Sequence, residues 1–428
     1  MSELEAAPPS DPPAFPEPSP YAAFAFREFR LFQAARFFTT VGTQMQSVAI
    51  GWQVYEIRHE PLDLGMVGLA QFVPMMVLSL VTGHVADRFD RRKVLVACQA
   101  ALATASLLLM GLAMSGIRHP APILLVLVLL GSARAFSGPV NQALLPHVVP
   151  KPYFANAVSW ASSIWQVATI LGPGLGGVVY GFRGPVAVYA SSATLIVLSL
   201  AMLLGLRIRS VGGASKATSL DDVLAGVRYV WRAKVTLGAI SLDLFAVLFG
   251  GAVALLPIFA KDVLHAGPWA LGLLRSAPSM GAVGTAIFLA YVPIRRNAGR
   301  VMLVSVFVFG LATILFGLSK NVALSAFALV VVGASDMVSV WVRKMLLNVT
   351  TPDAMRGRVS AVDLVFVGAS NELGEFESGT TAAWLGAVPA VVVGGIGTLV
   401  VVLVYAVLFP KLRRVDRVDV PADDGTIA

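Results

Sequence analysis

Charge is what this sequence has least of. Only 13% of its 428 residues are charged, about half the roughly 25% of soluble domains, which excludes a soluble globular fold. Cysteine is scarcer still. Cys98 stands alone in an apolar run, so no internal disulfide can form and no thiolate metal centre is expected. The histidines His59, His84, His119, His147 and His265 are scattered without ligand spacing. No Walker A sequence is present, so no ATP motor is built in. Gly172-x-Gly174-x-x-Gly177 has the spacing of a dinucleotide loop, but Pro173 and the apolar run around it exclude the strand–turn–helix context. Asn348-Val349-Thr350 is a glycosylation sequon that the topology places on the wrong side of a membrane. With no nucleophile–base or metal constellation, the chain is not expected to be an enzyme or to hold a cofactor or metal.

What remains is apolar. Hydrophobic residues make up 57% of the chain, and a membrane span takes ~20 of them, so about twelve spans fit and little else. The net charge of +8 follows the positive-inside pattern and does not mark a nucleic-acid surface. Basic connections fall at Asp87–Lys93, Pro146–Tyr153, Arg207–Lys234, Arg295–Arg300 and Arg343–Arg358, with Lys411, Arg413 and Arg414 near the end. These are expected in the cytoplasm, together with both termini. Met1–Pro20 has neither a basic n-region nor an apolar h-region and reads as a tail rather than a signal peptide. The expected organisation is a disordered tail (1–25), a six-helix bundle (26–206), a cytoplasmic linker (207–234), a second six-helix bundle (235–410) and a tail (411–428). The linker is polar, with a helix expected over Leu220–Trp231 after a Thr218/Ser219 cap.

The halves repeat. A nearly constant shift carries Gly68-Leu69 onto Gly272-Leu273, Pro74 onto Pro278, Arg91-Arg92 onto Arg295-Arg296, Gly131 onto Gly333 and Leu171-Gly172 onto Leu373-Gly374. Parallel repeats of six spans are a transporter architecture that binds between the repeats and rocks one against the other.

Several motifs carry a family resemblance. Gly83-x-x-x-Asp87-Arg88-x-x-Arg91-Arg92 resembles the loop between the second and third spans of the major facilitator superfamily, with Asp90 where that pattern usually has Gly. Gly172-Pro173-Gly174-Leu175-Gly176-Gly177 resembles the fifth-span motif of its antiporter branches, and Arg134 stands where a fourth-span arginine is often kept. Trp52-Gln53-Val54-Tyr55-Glu56-Ile57 and Pro352-x-x-x-Arg356-Gly357-Arg358 are similar to the branch of enterobactin-exporter-like efflux permeases. The resemblance implies an all-α integral membrane protein with two pseudo-symmetric bundles in a bacterial inner membrane. It also implies that Gly83, Asp87, Arg88, Arg91 and Arg92 form a gating loop, with Asp87 near the start of the eleventh span. Gly172, Pro173, Gly176 and Gly177 would form a hinge or gate helix; plain close packing is the other reading.

Charge within spans is the guide to a path, because a charged group at the bilayer centre costs ~2.5–3.5 kcal/mol. The third, sixth, ninth and twelfth spans carry none in their cores, whereas Arg36, Arg134, Asp243, Arg275, Asp336, Glu372, Glu375 and Glu377 lie within others. Asn371-Glu372-Leu373-Gly374-Glu375-Phe376-Glu377 is the densest cluster. Glu372 and Glu375 share a helix face, while Glu377 is expected to meet another helix. The pair is a candidate proton-coupling or substrate-cation site, or else a structural salt bridge to Arg36, Arg134 or Arg275. Asp243 and Asp336 are alternative coupling carboxylates. Arg134 is positioned to balance a carboxylate, bind an anionic substrate or pair with Asp336. Trp52, Tyr55, Trp160 and Trp165 read as packing or interface aromatics.

The function expected is secondary active transport of small organic molecules by a monomer, proton-linked and outward, with drug-like or siderophore-like cargo. Uptake of a metabolite or lysolipid is a second reading. A transport-inactive sensor is a third, and it would be expected to carry a soluble signalling domain.

Overall fold

The computed structural model describes residues 19–207 and 220–416, apart from the side chains of residues 79–81, 83–88, 220–224, 353 and 354. The caps expected at Thr218 and Ser219 lie outside the described residues. Twelve long helices account for most of the chain. They are α1 (Arg27–Arg58), α2 (Pro61–Arg88), α3 (Arg91–Met114), α4 (Ala121–Leu144), α5 (Phe154–Leu204), α6 (Leu220–Arg232), α7 (Lys234–Gly250), α8 (Pro268–Tyr291), α9 (Ala298–Leu318), α10 (Val322–Thr350), α11 (Asp353–Leu385) and α12 (Ala387–Leu408).

Among the described residues nine helices are long and apolar enough to cross a membrane. One of them, α5, turns at Gly184, whose φ of +72° is outside the helical region, so it makes two passes. Gly supplies that conformation without a Cβ penalty. α1 and α11, of 32 and 33 residues, are long enough to cross as well but more polar. Counting α5 twice and adding α1 and α11 gives twelve passes, the number expected. The seventh pass is discontinuous. After α7 the chain runs through a 3₁₀ turn (Ala252–Leu255), a single α turn (Leu256–Ile258) and a π turn (Phe259–Val263). The carbonyl freed at Gly251 accepts a hydrogen bond from Ser378 Oγ at 2.9 Å. Irregular backbone at membrane depth needs such a partner.

α1 to α5 pack on one another, as do α7 to α12. The repeat is visible in equivalent crossings. A Cβ at Gly131 on α4 would sit 2.4 Å from the Gln71 carbonyl and 2.9 Å from Pro74 on α2. A Cβ at Gly333 on α10 would sit 1.9 Å from the Pro278 carbonyl on α8. Both glycines allow backbones to touch beside a helix-interior proline.

Three polar residues of α1 bond within the first half. Thr39, Gln46 and Gln53, at heptad spacing, bond respectively to Ser199 (2.8 Å), to Ser106 and Ser192 (2.7 and 2.9 Å) and to Tyr189 (2.8 Å). Each bond satisfies groups that would otherwise be desolvated without a partner.

Four expectations change at the end of the bundle that carries the basic connections, here called the basic end. Residues 19–25, expected in the tail, pack on α5: Asn156 Oδ1 accepts from Ala23 N at 3.1 Å, and Trp160 Nε1 donates to the Pro20 carbonyl at 2.8 Å. Arg343 is not in a loop, because α10 stays helical to Thr350 and Arg343 is 2% exposed. The linker helix α6 is seated on the second half, with Tyr229 donating to the Thr350 carbonyl at 2.7 Å and Val230 in a cluster with Ile240, Leu347 and Val359. Finally, Arg91 and Arg92 do more than set topology. Arg91 donates to the Ala143 carbonyl at 3.3 Å and Arg92 to the Leu203 carbonyl at 3.2 Å, at the ends of α4 and α5 where carbonyls lack helical partners. Asp90, the departure from the motif, is the N-cap of α3 and accepts from Arg92 N at 2.9 Å and Lys93 N at 3.4 Å.

Candidate functional site

α1, α2, α4, α8 and α11, together with the broken segment after α7, enclose a cavity of about 200 Å³ at the interface of the two halves. Four charged side chains reach it from three helices: Arg134 from α4, Arg275 from α8, and Glu372 and Glu375 from α11. Gln44, Gln46, Ser47 and Gln71 add neutral hydrogen-bonding groups. Arg134 donates to Gln71 Oε1 at 2.8 Å, and Arg275 donates to the Ser47 carbonyl at 3.4 Å across the interface of the halves. The charges balance as a set. Among the described residues the ion pairs closing within 4.0 Å include neither glutamate. The cavity therefore holds two carboxylates and two guanidiniums that face a common space without neutralising each other by direct contact.

Glycine sets the position of Glu375. A Cβ at Gly68 on α2 would lie 2.9 Å from both Cβ and Oε2 of Glu375, so α2 and α11 meet where that side chain leaves its helix. Further from the basic end the halves close on each other. A Cβ at Gly379 on α11 would be 2.6 Å from Gly65 Cα on α2. A Cβ at Gly177 on α5 would be 2.6 Å from the Pro268 carbonyl and 2.8 Å from Gly272 Cα on α8. Ser276 Oγ donates to the Ile170 carbonyl at 2.8 Å. Beyond the glycines, Tyr55 donates to Asp262, Lys261 lies 3.5 Å from Glu56, and its ammonium is 5.8 Å from the Trp52 ring centroid. The cavity is thus sealed from the end opposite the basic end by contacts between α1, α2 and α5 on one side and α8, α11 and the segment after α7 on the other.

The other expected residues distribute as follows. Glu377 accepts from Thr381 Oγ1 at 2.8 Å on its own helix and not from a neighbouring one. Arg36 lies over the Phe32 ring at 5.7 Å and outside the cavity lining. Arg134 and Asp336 do not pair. Asp336 lines a separate, smaller cavity with Asp243, Ser335 and Ser339. Asn371 lines a side chamber within the second half. Gly172 and Gly176 pack α5 onto α1, with a Cβ at Gly172 falling 2.5 Å from Gln44 Cβ and one at Gly176 2.8 Å from Met45 Cα, whereas Gly177, Gly174 and the Pro173 carbonyl face Gly272 and Ser276 of α8. α5 stays helical through Pro173 and breaks at Gly184 instead. Of the residues expected to form a gating loop, Gly83 lies in α2, and the side chains of Asp87 and Arg88 lie outside the described residues.

One constellation escaped the sequence reading. Asp243 on α7 accepts from Arg343 Nη1, and Asp363 Oδ1 lies 3.5 Å from Arg343 Nε. The three side chains are 5%, 3% and 10% exposed. A single acid in the apolar run Ala361–Val367 was the available signal for Asp363. Arg343 was masked by the adjacent Lys344, which made the two look like a basic loop.

A helical, multi-pass bundle with a charged cavity between two repeats defines a membrane transporter of the major facilitator fold. The comparisons agree with it. The family model described as transmembrane secretion effector, of the major facilitator superfamily, matches residues 18–425, and the chain belongs to that family. The enterobactin exporter EntS of Citrobacter koseri is 27% identical over 405 residues, covering 93% of this chain and 95% of the relative. A variant of the nucleoside transporter NupG superposes with a TM-score of 0.73 at 12% identity, covering 90% of this chain and 100% of that one. A bacterial homologue of the iron transporter ferroportin, in an inward-facing state, gives a TM-score of 0.69 at 16% identity, covering 90% and 98%. These relatives are transporters and not enzymes.

Proposed function

We propose that this chain is a proton-linked exporter of small, partly apolar organic molecules in a bacterial inner membrane. Residues 26–206 and 235–410 act as the two rocking halves, the basic end faces the cytoplasm with both termini, and Glu375 carries the coupling proton with Glu372 beside it. The observation that supports this most is the cavity at the interface, where two carboxylates and two guanidiniums from both halves meet a common space. A carboxylate beside an arginine can exchange a proton for a salt bridge, and a substrate that displaces one guanidinium alters the balance for the other. The contacts from Gly177 to Lys261 close the far side in this conformation. Basic residues at the other end match the positive-inside rule. Similarity to enterobactin exporters along 93% of the chain favours export over uptake.

Glu375→Gln in proteoliposomes tests the assignment. Substrate–substrate counterflow, which needs only rocking, is expected to persist, while accumulation driven by a pH gradient is lost. Gradient-driven accumulation at the wild-type rate in Glu375→Gln would remove this residue from coupling.

A further inference from the structure

The central cavity has a neighbour inside the second half. A chamber of about 290 Å³ lies between α7, α8, α9, α10 and α11, and Glu375 lines both spaces. Its walls are largely apolar, with Val253, Leu329 and Val332 alongside the rings of Phe309 and Phe316. Its charged groups are of one sign, Glu375 at the shared wall and Asp336 further along α10. Arg343, about two helical turns along from Asp336, has its ion pairs with Asp243 and Asp363, and these do not include Asp336. Asp243 faces Asp336 across the small cavity of about 10 Å³ that also holds Ser335 and Ser339, with Arg343 paired to Asp243. Asn371, exposed on α11, marks the polar rim.

We propose that this chamber takes the apolar body of an organic cation, an amine bearing an aryl or alkyl group, with Asp336 and Glu375 as its counter-charges. The proposal rests on reading the central cavity as the transport site and narrows the substrate class of that site. The physical case has three parts. An apolar body entering an apolar chamber leaves water favourably whatever its charge. Asp336, at membrane depth, is in none of the ion pairs among the described residues, which is costly, so an incoming cation is favoured there and an anion opposed. Phe309 and Phe316 add aromatic rings to the lining, and a ring face attracts a desolvated cation. A neutral isostere obtains only the first of these.

Three probes of one shape separate the contributions: phenylbutylamine, phenylbutanol and phenylbutyrate. Binding is measured near neutral pH to the full-length protein in nanodiscs, with empty discs subtracting lipid partition. The amine is expected to bind about tenfold or more tighter than the alcohol, with the acid weakest. Asp336→Asn is expected to remove most of the amine's advantage and leave the alcohol unchanged. Val332→Trp fills the chamber and is expected to weaken amine and alcohol together by about tenfold or more. Thermal melting in the same discs shows whether each variant is folded, and Val253→Trp, from the segment after α7, replaces Val332→Trp if that variant is not. Equal binding of amine and acid would overturn the proposal. So would an amine preference that survives both Asp336→Asn and Glu375→Gln, or tight amine binding in a folded, chamber-filled variant. None of these readouts uses a gradient. Charge-selective binding without gradient-driven transport would sink the export reading and leave the chamber assignment standing; transport without chamber-dependent binding would do the reverse.

Discussion

Replacing Arg343 with Met is expected to be among the most destabilising single changes in the second half. The guanidinium is 3% exposed and serves two carboxylates, Asp243 at 5% and Asp363 at 10% exposure. Met matches much of the side-chain length but leaves both acids facing a buried space without a cation. Removing one partner from a buried ion pair costs about 3–5 kcal/mol, because the remaining charge is stranded. Asp243→Asn should cost less, about 1–3 kcal/mol, since Arg343 keeps Asp363 and the amide can still accept a hydrogen bond. The triple variant Arg343→Met, Asp243→Asn, Asp363→Asn removes every charge of the group and is expected to recover most of the loss, as apolar or neutral replacements of buried pairs do. Reversible unfolding in mixed micelles of increasing SDS fraction gives the three values on one scale. The reasoning fails if Arg343→Met lies within about 1 kcal/mol of wild type, or if Asp243→Asn costs more than Arg343→Met.

Other outcomes follow from the close contacts. Gly177→Leu places side-chain atoms where Pro268 and Gly272 now sit, at 2.6 and 2.8 Å from the first added carbon; spin labels across the end opposite the basic end should report longer distances, and unchanged distances would contradict the seal described there. Gly333→Ala and Gly131→Ala, with a new Cβ 1.9 and 2.4 Å from facing carbonyls, should both lower the melting temperature, since overpacking costs about 1–3 kcal/mol; a neutral effect at either site would separate the two repeats. Asp90→Ala removes the N-cap of α3 and should cost about 1 kcal/mol, while Asp90→Gly should cost only a few tenths of a kcal/mol, as micelle unfolding can measure. Tyr55→Phe deletes the hydrogen bond to Asp262 and should raise accessibility of the cavity from that end to a thiol reagent at an engineered Ser47→Cys; unchanged labelling would show that this bond is not part of the closure.

The helical passes and their repeat were readable because both rest on local signals. Apolar runs of membrane length and charged turns between them leave few alternatives, and Gly131 and Gly333 announced their equivalence by a shared shift before their crossings with α2 and α8 were seen. Glu372 and Glu375 were readable as partners because three residues separate them on a helix, and they do line one cavity. What local signals lack is the identity of the facing helix. Arg134 was offered Asp336 as a partner and found Gln71 instead, because α4 crosses α2 and not α10. Glu377 was expected to meet another helix, yet Thr381, one turn on in its own helix, satisfies it. Arg343 looked like a loop residue because its neighbour Lys344 and the nearby Arg356 and Arg358 are basic; only the burial of α10 against α7 and α11 exposes its pairing. The arginine pair Arg91-Arg92 shows the same limit, since topology accounts for its charge but not for the carbonyls of α4 and α5 that it holds.

The central claim is that a proton gradient drives small molecules outward through the cavity between the halves. Inside-out membrane vesicles containing the full chain test it most directly. With the interior made acidic, they are screened for accumulation of amphipathic amines and of siderophore-like compounds. Uptake into the vesicles is expected to collapse when a protonophore dissipates the gradient and to be absent from vesicles carrying Glu375→Gln. Accumulation indifferent to the protonophore, or none for any compound of either class in vesicles shown to hold folded protein, would contradict it.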